Sequence, residues 1–236
     1  MALKIDSEKC IGCQSCVPYC PVDAIKAGSG EVQIDQDACV ECAACLKSGA
    51  CRYDALYQPE LGWPRILRSQ FSDPMVAHPT TAIMGRGTAE MKTNDVTGRF
   101  RQGEVGFAVE IGRPGISTSF VDVEKVSVAL AGRVEFEPLN PVTALIDPET
   151  GRFKDPKVIK ERVLSAIIEC KTTEDRGLEV LRLLKKVSGE IDTVFTLCVI
   201  GMCRGYDVPF RRVMEENGFE PRINGKTNVG LGRPLA

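Results

Sequence analysis

The spacing of apolar residues changes twice along the chain, and the changes mark three stretches: 1–57, 58–104 and 105–236. In the last stretch the elements are readable. VGFAVEI, Val105 to Ile111, has the length and apolar run of a strand. Asp122 is placed to cap a helix through about Ala131, with Gly132 as its stop. VEFEPL and VTALI read as extended segments on either side of Asn140 and Pro141. Asp155 and Pro156 open a predicted helix in which Val158, Ile159, Val163, Leu164, Ile167 and Ile168 form an apolar stripe. Another helix is predicted from near Thr172, spaced like a capping box from Asp175, to about Val187 before Gly189. TVFTLCVIG reads as a buried strand, Asp207 opens a helix ending at Asn217 and Gly218, and FEPRI reads as the last strand. This order implies an α+β sandwich of the split βαβ kind, an antiparallel sheet covered on one face by helices.

Residues 58–104 lack a sustained period. Pro59, Pro64, Pro74 and Pro79 interrupt any helix there, so the stretch reads as an ordered connector whose Trp63, Ile66, Leu67 and Phe71 bury against a neighbour. His78, beside Pro79 and without a spaced carboxylate or thiol partner, reads as an exposed surface residue. Within GRGTAEMKTNDVTGRFRQGE, the glycines Gly85, Gly87, Gly98 and Gly103 stand among the cations Arg86, Lys92, Arg99 and Arg101. Such a loop can shape a backbone nest for a small anionic ligand, a phosphate or carboxylate. It matches neither the P-loop nor the dinucleotide fingerprint, and Glu90, Asp95 and Glu104 dilute its charge, so a polar surface loop is the competing reading.

The first stretch is an internal repeat. KIDSEKCIGCQSCVPYCPVDAI, from Lys4, aligns with QIDQDACVECAACLKSGACRYDAL, from Gln33. Cys10, Cys13 and Cys16 recur 29 residues later as Cys39, Cys42 and Cys45, and Cys20 recurs 31 later as Cys51. Each copy reads as a short strand, a ligand loop, one helical turn and a return strand. Eight of the eleven cysteines fall here, in a chain with one histidine. Zinc or reduced structural thiols are the alternatives, but zinc sites usually pair two CxxC units, and a triple C-x2-C-x2-C suits the corners of a 4Fe-4S cubane better.

On these motifs residues 1 to about 57 resemble the bacterial dicluster ferredoxins, small pseudosymmetric proteins that hold two 4Fe-4S clusters and pass single electrons at low potential. The resemblance implies crossed ligation, in which the remote cysteine of each copy serves the cluster of the other. Cys10, Cys13, Cys16 and Cys51 then form one ligand set, and Cys39, Cys42, Cys45 and Cys20 the other. The second copy departs from the first in two ways: it has C-x5-C between Cys45 and Cys51, and Arg52 stands where the first copy has Pro21. Arg52 restores a backbone N–H and adds a cation, which is expected to raise the potential of the cluster closed by Cys51 relative to an Arg52→Pro chain.

Composition narrows the function further. A net charge of -2 over 236 residues argues against general nucleic-acid binding. Residues 1–57 carry five Lys or Arg against eight Asp or Glu, an acidic balance suited to a basic redox partner. The N-terminus has no apolar signal segment, and the longest nearly apolar run, Val194 to Cys203, falls short of the roughly 20 residues of a membrane helix, so a cytoplasmic protein without membrane insertion is expected. Cys170 and Cys198 read as small buried hydrophobes, and Cys203 lies in a glycine-flanked loop beside Arg204, where a thiolate would be stabilised. No catalytic set is identifiable by spacing. The leading expectation is an electron-transfer iron-sulfur protein, the ferredoxin-like subunit of a larger anaerobic oxidoreductase. The competing ones are a redox- or ligand-responsive regulator with a metabolite-binding α+β domain, and an enzyme with its own C-terminal pocket.

Overall fold

The computed structural model describes residues 3–28, 30, 32–85, 87–88, 99–113, 117–205 and 207–222. Its N-terminal part holds four short strands: Lys4–Ile5 (β1), Ile25–Ala27 (β2), Val32–Ile34 (β3) and Leu56–Tyr57 (β4). β2 and β3 form an antiparallel hairpin, while β1 pairs antiparallel with β4, so the two copies of the repeat exchange their outer strands. The exchange is reinforced by twin backbone bonds, Asp6 N–H to the Ala55 carbonyl and Asp35 N–H to the Ala24 carbonyl, both 2.7 Å. Leu3, Ala24, Ile25, Val32 and Leu56 pack with Cys39 and Cys45 into a small core. The helical turn differs between copies: a 3-10 turn over Val17–Tyr19 in the first, and a four-residue helix over Ala44–Lys47 (α1) in the second.

The larger core lies between a four-stranded sheet and helices on one of its faces. Glu104–Ile111 (β5) and Ala166–Thr173 (β9) are the two central strands; Phe195–Gly201 (β10) flanks β5 and Glu135–Phe136 (β7) flanks β9. Every neighbouring pair is antiparallel. Strands Thr118–Ser119 (β6) and Arg162–Val163 (β8) make a separate short pair. The connections β5–Phe120–Leu130 (α3)–β7 and β9–Glu174–Val187 (α5)–β10 each leave one strand between the strands they join. Alternation along β5 sends Val105, Phe107, Val109 and Ile111 into the core, opposite Val123, Val126 and Leu130 of α3 and Val180, Leu181 and Leu184 of α5. Complete burial of each such side chain contributes about 1.5–3 kcal/mol.

Several elements differ from the expectation raised by the residue pattern. VTALI is not extended: Pro141–Leu145 (α4) is a helix, because Asn140 caps it by accepting from the N–H groups of Val142 and Thr143 and Pro141 supplies the preset φ of a first turn. The stripe from Val158 to Ile168 is not a helix either. A 3-10 segment over Pro156–Lys160 gives way to β8 and β9, where pairing with the whole length of β5 outweighs the chance match to helical spacing. Asp122 lies in the first turn of α3, and the cap is Ser119, which accepts from the Asp122 N–H. α5 begins at Glu174, with Thr172 and Thr173 still in β9. β10 is an edge strand of intermediate exposure rather than a buried one. The final helix, Pro209–Glu216 (α6), begins after Asp207, and residues 219–222 form no strand; Ile223 lies outside the described residues.

The connector contains a helix as well. Ile66–Ser72 (α2) lies between Pro64 and Pro74, which bound it instead of breaking it. Leu67 and Phe71, each 1% exposed, enter the larger core, where Phe71 meets Phe120 edge to face, while Trp63 stays exposed with its Nε1–H donated to Asp155 at 2.6 Å. His78 is not on the surface: it is 2% exposed, edge to face with Phe71, and its Nδ1 accepts from the Thr80 N–H. Burial holds its pKa down to about 4.

Two outcomes follow from these placements. Asn140 also donates from Nδ2 to the Ile167 carbonyl and the buried Glu169 carboxylate, so Asn140→Ala loses a cap and two buried hydrogen bonds; urea denaturation should show a loss of about 2–4 kcal/mol. The unfolded chain protonates His78 near pH 6.5, whereas the folded chain holds it neutral to about 4. Its contribution to stability is therefore complete above pH 6.5 and is lost as pH falls toward 4. Between pH 7 and 5 this amounts to about 2 kcal/mol, and a His78→Gln chain should show a shallower acid limb by that amount in denaturation series.

Candidate metal centre

The repeat is visible residue by residue in the backbone. Gly12 and Glu41, Gln14 and Ala43, and Asp23 and Asp54 are equivalent positions, and all six have φ between 48° and 70°. These left-handed residues turn successive N–H groups inward, toward the sulfurs. Ala24 N–H donates to Cys20 Sγ at 3.1 Å and Ala55 N–H to Cys51 Sγ at 3.3 Å. Cys10 N–H and Cys39 N–H are anchored on the carbonyls of Asp6 and Asp35, at 2.9 and 3.0 Å. Asp35 also accepts through its side chain from the N–H groups of Ala38 and Asp37, which holds its carboxyl below the usual range.

The eight thiols fall into two neighbourhoods. Cys10, Cys13, Cys16 and Cys51 line one small cavity, with Ile11 and Tyr53 at its edge. Burial raises Cys16, and the neighbouring thiols Cys51, Cys10 and Cys13 raise it further. Burial likewise pushes Cys45 up to about 12, assisted by Cys42, Cys39 and Cys20, and pushes Cys39 up to about 11. Cys42 is raised first by burial and also by Cys20, against the Ala44 N–H. Cys13 alone is lowered, by the hydroxyl and N–H of Ser15, with the more distant Arg52 cation acting in the same sense. Each neighbourhood thus mixes three thiols of one copy with the remote thiol of the other. Thiols crowded in this way resist joint ionisation unless cationic metal holds them, and soft thiolate donors with inward N–H groups are the surroundings a 4Fe-4S cluster takes. The residues present fit that group.

The second neighbourhood is braced from outside the repeat. Arg65 and Arg68 flank the start of α2. Arg65 pairs at 2.7 Å with Glu41, a buried carboxylate standing where the first copy has Gly12, and Glu41 also accepts from the Leu3 N–H. Arg68, 5% exposed, donates to the carbonyls of Gln36, Asp37 and Cys39 at 3.2, 2.9 and 2.6 Å and pairs with Glu161. Lys47 bonds the buried Asp73 at 2.6 Å. These arginines were not singled out by spacing, since nothing in the sequence ties residue 68 to residue 39 or 161.

The other candidate residues lie apart. Cys170 is fully buried in β9, where burial pushes its thiol up; Cys198 is on β10, 3.9 Å from Glu110; Cys203 is exposed. The guanidinium of Arg204 is engaged by Glu174 at 3.2 Å and by Gln102. Of the glycine-rich loop, Arg86, Lys92 and Gly98 lie outside the described residues. Arg99 and Arg101 border a polar cleft in which Arg99 pairs with Glu137, and Lys171 pairs with Glu104 at 3.1 Å.

Comparison with known proteins agrees with this geometry. The 4Fe-4S binding domain family matches residues 3–26. Ferredoxin-3 of Chlorobaculum tepidum is 51% identical over 51 residues, which are 22% of this chain and 81% of that protein. A ferredoxin of Alicyclobacillus acidocaldarius is 47% identical over 53 residues, covering 22% and 65%, and a 7Fe ferredoxin of Hydrogenibacillus schlegelii is 41% identical over 56 residues, covering 23% and 69%. No solved structure matches the chain. The shared residues are those of the repeat, and through about its first 55 residues the chain belongs to the bacterial ferredoxins that carry 4Fe-4S clusters.

Proposed function

We propose that this is an electron-transfer protein with two 4Fe-4S clusters, one held by Cys10, Cys13, Cys16 and Cys51 and the other by Cys39, Cys42, Cys45 and Cys20. The observation that carries the reading is the sorting of eight thiols into two crossed neighbourhoods, each closed by the remote cysteine of the other copy. The clusters supply reversible one-electron storage at low potential. The chain's own part is to hold eight thiolates, to aim N–H groups at them, and to exclude water from Cys39 and Cys45, 8% and 7% exposed. The ferredoxin relatives support the electron-transfer role.

The finer reading concerns the remaining mass. We divide the chain into a cluster module at 1–57, a connector at 58–104 and an α+β sandwich of the split βαβ kind at 105–236, in keeping with the end of β4 and the start of β5. A quarter of the chain suffices for a free carrier, so the rest is read as the docking body of a subunit committed to a larger anaerobic oxidoreductase, whose donor or acceptor is a redox protein. A cytoplasmic location fits this role, and among the described residues no helix is long and apolar enough to cross a membrane.

Anaerobic purification followed by metal and sulfide analysis should return about eight irons per chain; zinc, or far fewer irons, would overturn the assignment. Replacing Arg52 by Gln removes the cation near Cys13 while keeping the backbone N–H. The potential of one cluster should fall on the order of tens of millivolts in a redox titration followed by EPR.

A further inference from the structure

The two ligand loops are copies of one pattern set in opposite surroundings. Ile11 and Val40 occupy the same repeat position, yet Ile11 is 60% exposed and Val40 1%. Cys13, Gln14 and Ser15 are exposed, whereas their counterparts Cys42, Ala43 and Ala44 are half-buried or buried. The second loop is closed by the connector through Arg65, Arg68 and the Lys47–Asp73 pair. Among the described residues no hydrogen bond or ion pair ties residues 10–16 to any residue beyond 57.

Among the large apolar side chains left in water, two stand at the edge of the first thiol cavity. Ile11 and Tyr53, 60% and 48% exposed, both line it beside Cys10, Cys13, Cys16 and Cys51. An exposed isoleucine gains free energy when a second surface covers it, and electron tunnelling demands close approach at such a place. Residues 1–57 carry eight carboxylates against five cations, and thiolates add negative charge, so the module as a whole favours a basic partner surface.

We propose that the rim around Ile11 and Tyr53 is the port at which the protein exchanges single electrons with a separate, basic redox protein. The proposal rests on the electron-transfer reading given above. In each exchange the reduced protein loses one electron and the oxidised centre of the partner gains it; no bond is made or broken and no proton moves. The second thiol neighbourhood, closed by α2 and the residues around it, faces the larger part of the chain instead.

The test uses anaerobically purified, reduced holoprotein mixed in a stopped-flow instrument at low ionic strength with oxidised cytochrome c, a basic one-electron probe. Ile11→Lys and Tyr53→Lys each place a cation in the rim, and Ile11→Ser removes only the apolar contact. Val121→Lys makes the same charge change on α3, at a residue 44% exposed. The second-order rate constant should fall at least tenfold in the two rim lysine variants and by several-fold in Ile11→Ser, with iron content and EPR spectra unchanged. It should fall less than twofold in Val121→Lys. Unaltered rates in the rim variants, or equal slowing in Val121→Lys, would overturn the port while leaving the electron-transfer reading in place. A wild-type protein without iron would overturn that reading and the port with it.

Discussion

One constraint bears on the whole N-terminal part: its thiols are crowded into two neighbourhoods, and in the buried ones each neighbouring sulfur adds to the cost of ionisation. Burial, assisted by neighbouring sulfur, pushes Cys45 up to about 12, and burial, assisted by the Glu41 carboxylate, pushes Cys39 up to about 11. The backbone meets the constraint with left-handed residues at matched positions, such as Gly12 with Glu41 and Gln14 with Ala43, and with N–H groups donated to Cys20 and Cys51. Non-glycine residues at such φ values are costly. Here they recur in both copies of the repeat, as expected if the loop geometry is dictated by the group it surrounds.

The two copies begin from one pattern and end in different places because the connector closes over the second ligand loop, while among the described residues no hydrogen bond or ion pair ties residues 10–16 to it. Arg68 is the clearest joint. A buried guanidinium needs its donors satisfied, and it finds the Cys39 carbonyl on one side and the Glu161 carboxylate on the other. Glu41 in place of Gly12 gives Arg65 a partner on the same side. The pseudosymmetry is thus broken by side chains of the connector as well as by the longer Cys45–Cys51 spacing, while all four cysteines recur in each copy.

The repeat was legible in the sequence because the cysteine spacing recurs almost unchanged, so Cys10, Cys13, Cys16 and Cys20 could be matched with Cys39, Cys42, Cys45 and Cys51 without coordinates. The larger part was legible only in places. β5 and α5 stand out because their apolar positions keep one period throughout. Ile167 and Ile168 were misplaced because i, i+3 and i+4 spacing from Val163 and Leu164 imitates a helix, and only the pairing with β5 decides otherwise. VTALI was read as extended, although Asn140 followed by Pro141 is a cap and first turn. His78 and Arg68 owe their roles to partners distant in sequence, for which no local signal exists.

The exchange of outer strands sets an order on biosynthesis. The segment carrying Lys4 and Ile5 leaves the ribosome before its strand partner, Leu56–Tyr57, and before Cys51, which lines the same cavity as Cys10, Cys13 and Cys16. The nascent chain must therefore present three unsatisfied sulfurs for the time it takes to add some forty more residues, roughly 2–8 s at ordinary rates of elongation. On the proposed ligand assignment, iron delivered before that interval closes would meet an incomplete set of ligands.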